Sequence, residues 1–105
     1  MTRLENEPLS PKDPAEIATI TFDFSALAET LASASVVASV LSGLTDSNAA
    51  AIITGPSSVS GALAMQRVTA GQPGTTYLLR CTALDVDGEI HVLTAALPVA
   101  VASPV

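Results

Sequence analysis

The fold of this chain is decided by residues 75–97, which read TTYLLRCTALDVDGEIHVLTAAL. In this stretch the pair Asp87-Gly88 separates two runs of apolar and β-branched residues, 75–84 and 89–97. An Asp-Gly pair between two such runs is a strong short-range signal for an antiparallel hairpin. The stretch therefore predicts the two longest strands of the chain, joined by a tight connection.

Shorter runs upstream have the same character. In residues 18–24 apolar and polar side chains alternate strictly, as in a strand with one buried face. Residues 25–32 are too few for an independent helix and are predicted to be a connection. The other predicted strands are 33–41, 50–54 and 63–68, and the predicted turns are Gly43 with 45–48, 55–58 and 71–74. About six to seven short strands with no helix between them predict an all-β, immunoglobulin-like antiparallel sandwich.

Tyr77 and Cys81 belong to the same predicted inward face of the penultimate strand. Immunoglobulin-like sandwiches place a corner tyrosine near the start of that strand, with its hydroxyl bonded to backbone. We expect Tyr77, which follows the turn 71–74, to take this role. Cys81 is the single cysteine, so no intrachain disulfide is available, and we expect it to behave as a small buried hydrophobe.

The first 16 residues differ from the rest of the chain. They contain three prolines and few apolar side chains, which predicts an extended N-terminal arm (1–16) ahead of the sandwich domain (17–105). A polar, Pro-rich terminus is ordinarily disordered. The alternative is a segment that becomes ordered by docking on a neighbouring subunit.

Two motifs carry a resemblance to a known family. The first is Lys12-Asp13-Pro14-Ala15-Glu16, followed by a strand ending in Asp23-Phe24-Ser25; the second is Gly74-Thr75-Thr76-Tyr77 with the Asp87-Gly88 hairpin. Together they resemble the small tailed-bacteriophage proteins of the fibre-to-tail adaptor type, whose members are similar to immunoglobulin-like sandwiches. The chain departs from the family pattern at Phe24, where tryptophan is usual, and at Glu89, where a basic residue is common.

The resemblance implies a virion structural protein and not an enzyme. It implies an adaptor or connector, at the tail or the head–tail junction, that links tail, portal or fibre proteins as a ring of identical copies. The candidate partner-binding residues are Lys12, Asp13, Pro14 and Glu16, since Pro14 fixes the backbone direction and the other three offer charged hydrogen bonds. The alternatives are a capsid decoration (cement) protein and a host- or glycan-binding immunoglobulin-like module.

Composition argues against several other functions. The net charge is −6 with only four basic residues, which disfavours nucleic acid and anionic membranes as partners. The start of the chain has no apolar stretch typical of a signal peptide, so we expect assembly in the bacterial host cytoplasm and residence in the virion. The single His91 lacks the partners of a zinc site, and the acids of 85–89 lack calcium-loop spacing, so we expect no cofactor and no metal.

Overall fold

The computed structural model describes residues 7–8, 12–13, 15–43, 46 and 49–100. Seven strands occur in these residues, together with one short 3₁₀ helix over Ala49–Ile52. The strands are β1 (Glu7–Pro8), β2 (Ala18–Asp23), β3 (Leu31–Gly43), β4 (Ile53–Ser60), β5 (Leu63–Val68), β6 (Thr75–Asp85) and β7 (Ile90–Val99). The described residues contain no helix that is long and apolar enough to cross a membrane.

The strands form two sheets with β1-β7-β6-β3 in one and β2-β5-β4 in the other. All pairings are antiparallel except that of β1 with β7. The prediction of an all-β, immunoglobulin-like sandwich of six to seven strands is therefore confirmed. The connection predicted for 25–32 is also present, as a turn closed by hydrogen bonds from Leu27 and Ala28 to the carbonyl of Phe24, although β3 already begins at Leu31.

The core lies between the two sheets and is built by alternation along the strands. In β6 every second side chain is buried, from Thr75 through Tyr77 to Asp85. Phe22 and Phe24 enter the core from the opposite sheet, so all three aromatic residues of the chain are buried. Each large apolar side chain that is fully buried stabilises the fold by about 1.5–3 kcal/mol relative to exposure.

The predicted hairpin is confirmed, with Leu84 and Ile90 as its last paired residues. Its loop is closed by two hydrogen bonds, from Asp85 N–H to the Glu89 carbonyl and from Gly88 N–H to the Asp85 carbonyl. Gly88 has φ +89°, a left-handed conformation that glycine adopts without steric cost. The Asp-Gly signal therefore located the hairpin correctly.

The region 49–60 corrects the sequence-based prediction. Residues 50–54 were expected to form a strand closed by a turn over 55–58, but most of the former lie in the 3₁₀ helix and the latter lie inside β4. The pairing of β4 with β5 is irregular between Thr54 and Ser58, where Gly55 and Pro56 are accommodated. Proline is tolerated there because β4 is an edge strand and the missing N–H is not needed by a second neighbour.

The described part of the predicted arm lies along the four-stranded sheet. Glu7 and Pro8 pair in parallel with Ala95 and Ala96 of β7, and Lys12 forms a further parallel bridge with Val99. The sequence alone separated this segment from the sheets, because it is polar and rich in proline. In the structure this segment joins the sheet despite its polar composition, because its backbone pairs with the edge of β7. The division into residues 1–16 and 17–105 stays a prediction.

Candidate functional site

Lys12 is held inside the fold by its backbone and by its ammonium group. Its N–H donates to the carbonyl of Pro98 at 2.9 Å, and its own carbonyl accepts from the N–H of Ala100 at 2.9 Å. The Nζ atom donates to the carbonyl oxygens of Asp13 at 2.8 Å and Ala70 at 2.7 Å. The sequence predicted that Lys12 binds a partner. In the structure only 3% of the residue is exposed, and its side chain is already hydrogen-bonded within the chain.

The electrostatic environment of the Lys12 ammonium contains opposing contributions. Burial lowers the pKa of Lys12, because the charged form loses hydration, while the carboxylates of Glu16 and Asp13 act to raise it. The two carbonyl oxygens compensate part of the lost hydration by accepting hydrogen bonds. The Lys12 ammonium therefore links the start of the domain to the loop that precedes β6.

That loop has an unusual backbone conformation at Ala70, the residue whose carbonyl accepts the hydrogen bond from Lys12. Ala70 has φ +53°, and among the described residues it is the only one other than glycine with a positive φ. A left-handed conformation costs an alanine about 1–2 kcal/mol. At the next residue, Gly71, an added Cβ would lie 2.9 Å from Cγ2 of Val99. The loop is therefore tightly fitted against the end of β7.

Asp13 and Glu16 fold the following segment into a local turn. Oδ1 of Asp13 accepts from the N–H of Ala15 at 2.8 Å, and Oε1 of Glu16 accepts from the N–H of Asp13 at 2.9 Å. Glu16 is exposed and Asp13 is half-buried. Pro14, the fourth predicted partner-binding residue, lies outside the described residues. The structure thus brings Lys12, Asp13 and Glu16 together next to the end of β7.

Tyr77 is fully buried, and its hydroxyl joins three parts of the chain. The Oη atom accepts from the backbone N–H of Gln72 at 2.7 Å and donates to Oδ2 of Asp46 at 2.6 Å. The predicted corner tyrosine, with its hydroxyl bonded to backbone, is therefore confirmed. The contact with Asp46 was not foreseen, because nothing in the local sequence relates the β3–β4 connection to β6. Burial raises the pKa of Tyr77, and the Asp46 carboxylate adds to the rise.

Three side chains that could bind a metal ion lie close together at the hairpin tip. Ligand atoms of Asp85, Glu89 and His91 lie within 4.8 Å of one another. Asp85 already accepts from the N–H groups of Asp87 and Glu89, each at 2.9 Å, and its Oδ2 lies 2.9 Å from Nε2 of His91. These bonds lower the pKa of Asp85, with His91 as the largest cause. The arrangement therefore braces the hairpin, and an open cleft of about 470 Å³ lies beside it, lined partly by residues 25–30.

Cys81 lies in the middle of the core and has no exposed surface. Burial raises the pKa of its thiol to about 11, which keeps the thiolate fraction small at neutral pH. The expectation that Cys81 behaves as a buried hydrophobe is confirmed.

The outward face of the four-stranded sheet carries both polar and exposed apolar side chains, and the apolar ones were not singled out from the sequence. Val37 of β3, Leu84 of β6 and Ile90 of β7 expose 60%, 38% and 68% of their surface. Arg80 lies among them, paired in register with Val37. The signal was present in the alternate positions 76–84 of β6, whose side chains point away from the core. Leu84 and Ile90 are paired neighbours, whereas Val37 is paired with Arg80, so the three side chains do not form one contiguous apolar patch.

Comparison with known proteins assigns the chain to a family. A comparison with curated proteins found no match. A family model described as podophage GP4 fiber-tail adaptor protein gp77 matches residues 12–98, from the buried Lys12 to the penultimate residue of β7. The match covers most of the chain and both motifs on which the resemblance rests. The chain therefore belongs to the podophage GP4 fiber-tail adaptor protein family, gp77, and is a virion structural adaptor of immunoglobulin-like fold.

Proposed function

We propose that this protein connects the tail fibre to the tail of a podophage virion and acts by binding rather than by catalysis. The observation that carries the proposal is the family match, which runs from Lys12 to Pro98 and includes all of β2 to β6 and most of β7. The partners are the tail fibre protein and other tail proteins. The protein assembles in the host cytoplasm and takes its place as a ring of identical copies.

The environments of Cys81, His91 and Asp85, the side chains that could in principle act in catalysis, favour a structural role for the protein. Cys81 is buried with its thiol pKa raised to about 11, so it is a poor nucleophile. His91 and Asp85 are bonded to each other at the hairpin tip, where Asp85 also accepts from two backbone N–H groups. These bonds give both residues a role in holding the hairpin. The sandwich then serves as a rigid body that presents its surfaces to partners.

Within this function the N-terminal segment provides directed contacts with a neighbouring virion protein. The hydrogen bonds of Lys12 to Ala70 and Asp13 fix where the segment leaves the domain. Glu16 is exposed beside it, and its carboxylate, which accepts from the N–H of Asp13, can also bind a cationic group of a partner. Pro14 restricts the backbone between them. Charged contacts of this kind set register and orientation more than affinity.

The experiment that tests the adaptor role is complementation of a phage lacking this gene. Particles made without the protein are expected to have filled heads and tails but no fibres, and the wild-type gene is expected to restore the fibres. Electron cryomicroscopy of restored particles should place the protein between fibre and tail as a ring. Density on the capsid shell would identify a decoration protein instead, and fibre-bearing particles in the absence of the gene would end the proposal.

The N-terminal contacts are tested by deletion of residues 1–11 and by the double variant Asp13→Ala/Glu16→Ala. The deletion removes β1 but leaves Lys12 and its hydrogen bonds in place, so the domain is expected to remain folded while incorporation into particles is lost. A matched control is Glu29→Ala/Asp87→Ala, which removes two exposed acids elsewhere. Normal incorporation of both N-terminal variants would exclude this role of the segment.

A further inference from the structure

The hairpin between β6 and β7 places three side chains with metal-binding groups on one face of its tip. Leu84 and Ile90 are the last paired residues, and beyond them the N–H of Asp85 bonds to the carbonyl of Glu89. Successive side chains of a strand point to opposite faces, and residues opposite each other in a pair share a face. Asp85, Glu89 and His91 are each one residue from the last pair, so all three lie on the face away from the side chains of Leu84 and Ile90.

The distances among these three side chains fit a shared cation. One ligand atom from each lies within 4.8 Å of the other two, and Oδ2 of Asp85 is 2.9 Å from Nε2 of His91. Two ligand atoms at right angles around a metal ion, each roughly 2.1 Å from it, are about 3 Å apart. Oδ2 and Nε2 are therefore spaced like adjacent ligands of one ion. Glu89 is exposed, so its carboxylate is free to turn towards them.

The carboxylate of Asp85 is already held in the orientation that a metal ligand needs. Its Oδ1 accepts from the N–H groups of Asp87 and Glu89, each at 2.9 Å, which leaves Oδ2 directed at His91. Carboxylates that bind metal ions are commonly fixed by such hydrogen bonds. Oδ2 and Nε2 share one proton, and a bound cation displaces it to Nδ1 or to water. Cation binding therefore requires little rearrangement of Asp85 or His91.

The open cleft beside the hairpin gives a cation access to these side chains. Asp85 and Glu89 line this cleft of about 470 Å³, so water molecules have room to complete the coordination of an ion. Glu29 and Asp87 line the same cleft, and none of its described lining residues is basic. Carboxylates concentrated in a cleft raise the local concentration of cations. The approach to the three side chains is therefore electrostatically favourable for a metal ion.

From this geometry we propose that Asp85, Glu89 and His91 bind a divalent transition-metal ion, Zn²⁺ by preference, at the tip of the hairpin. An imidazole nitrogen suits Zn²⁺, whereas Mg²⁺ and Ca²⁺ favour oxygen ligands alone. The ion ties β6 to β7 beyond their last pair and so stabilises the hairpin tip. The sequence did not indicate this site, because the spacing of the three residues matches neither a zinc motif nor a calcium loop. The proposal is independent of the adaptor function.

The test is calorimetric titration of the full chain, without an affinity tag, with Zn²⁺ and separately with Mg²⁺ and Ca²⁺. One Zn²⁺ per chain is expected, and at about 100 times the Kd it should raise the melting temperature by roughly 10 °C. His91→Ala and Glu89→Gln are each expected to lower the affinity for Zn²⁺ at least about tenfold. The matched control is Glu29→Gln, the same change at another exposed glutamate of the cleft, and it is expected to bind Zn²⁺ as the wild type does.

The imidazole of His91 gives an independent readout, because it is the only histidine of the chain. Its Nε2 resonance in ¹⁵N NMR spectra is expected to shift when Zn²⁺ binds, in the wild type and in Glu29→Gln. A Kd weaker than about 1 mM for Zn²⁺, or a Nε2 resonance that stays in place, would overturn the proposal. Equal affinities of the wild type and Glu89→Gln would also overturn it, and this exposed position keeps the test valid if His91→Ala disturbs the hairpin. Tighter binding of Ca²⁺ than of Zn²⁺ would identify a site built from the carboxylates alone and contradict the assignment to His91.

Discussion

The ammonium of Lys12 donates a 2.7 Å hydrogen bond to the carbonyl of Ala70, 58 residues further along the chain. This contact joins the first residue of the family match to the loop that leads into β6. The same loop carries the backbone N–H of Gln72, which binds the hydroxyl of Tyr77. The two motifs that identified the family in the sequence are therefore linked in space through one loop.

The Lys12 contact is expected to contribute measurably to stability. Lys12→Met keeps the apolar stem but removes the donor from the carbonyl oxygens of Ala70 and Asp13. The free energy of unfolding should fall by about 1–3 kcal/mol, the usual cost of leaving buried polar groups without a partner. Urea denaturation gives this value, and exchange of the Ala100 amide, which donates to the Lys12 carbonyl, should accelerate. An unchanged midpoint and unchanged exchange would show that the ammonium does not hold the segment.

The hydroxyl of Tyr77 is expected to contribute more to the free energy of unfolding than one ordinary hydrogen bond does. Tyr77→Phe leaves the N–H of Gln72 without its acceptor and the carboxylate of Asp46 without this donor. A loss of about 1.5–3 kcal/mol is expected, because one of the two bonds involves a charged group. A double-mutant cycle with Asp46→Asn separates the two bonds. A coupling energy of zero between the two positions would contradict the contact.

Two glycines with nearly the same backbone conformation are expected to respond differently to alanine. Gly43 and Gly88 have φ of +94° and +89°. A Cβ at Gly88 meets open space, whereas one at Gly43 would lie 2.2 Å from the carbonyl oxygen of Gly74. Gly88→Ala should cost about 1–2 kcal/mol of backbone strain. Gly43→Ala should cost clearly more, and equal melting temperatures for the two variants would refute the close approach.

Because the pKa of Cys81 is raised by burial, the free energy of unfolding is expected to fall at alkaline pH. Its pKa is raised from 9.0 to about 11 in the folded protein, so the unfolded chain releases this proton first. The stabilising contribution is complete below about pH 9 and is lost as the pH rises to about 11, for a total of roughly 3 kcal/mol. Denaturation midpoints from pH 7 to 11 test this, with Cys81→Ala as the reference because Tyr77 titrates in the same direction.

The reactivity of the same thiol provides a second check. Cys81 has no exposed surface, so a water-soluble disulfide reagent should modify it only in denaturant. Rapid modification of the native protein at pH 8 would mean that the core is not packed as described. An equal alkaline loss of stability in wild type and Cys81→Ala would likewise remove Cys81 as its cause.

The local sequence predicted the features that depend on neighbouring residues. Alternation in 18–24 and 75–84 indicated which side chains enter the core, and Asp87-Gly88 located the hairpin. It was misleading at 50–58, where Gly55 and Pro56 resemble a turn but lie within an edge strand. Local signals do not reveal whether a strand has one neighbour or two, and that decides whether proline is tolerated.

By itself the sequence determined the all-β class, the inward face of β6 and the family motifs, because side-chain periodicity and turn chemistry are local properties. Only the tertiary structure decided what Lys12 does. The polar composition of the first 16 residues predicted an arm apart from the sheets, yet pairing with β7 and two carbonyl oxygens draws Lys12 into the interior. Only the tertiary structure placed β4 against the outer edge of β3, where the hydroxyl of Ser57 donates to the carbonyl of Ala34. Both depend on contacts between distant parts of the chain, whose energies no short stretch of sequence contains.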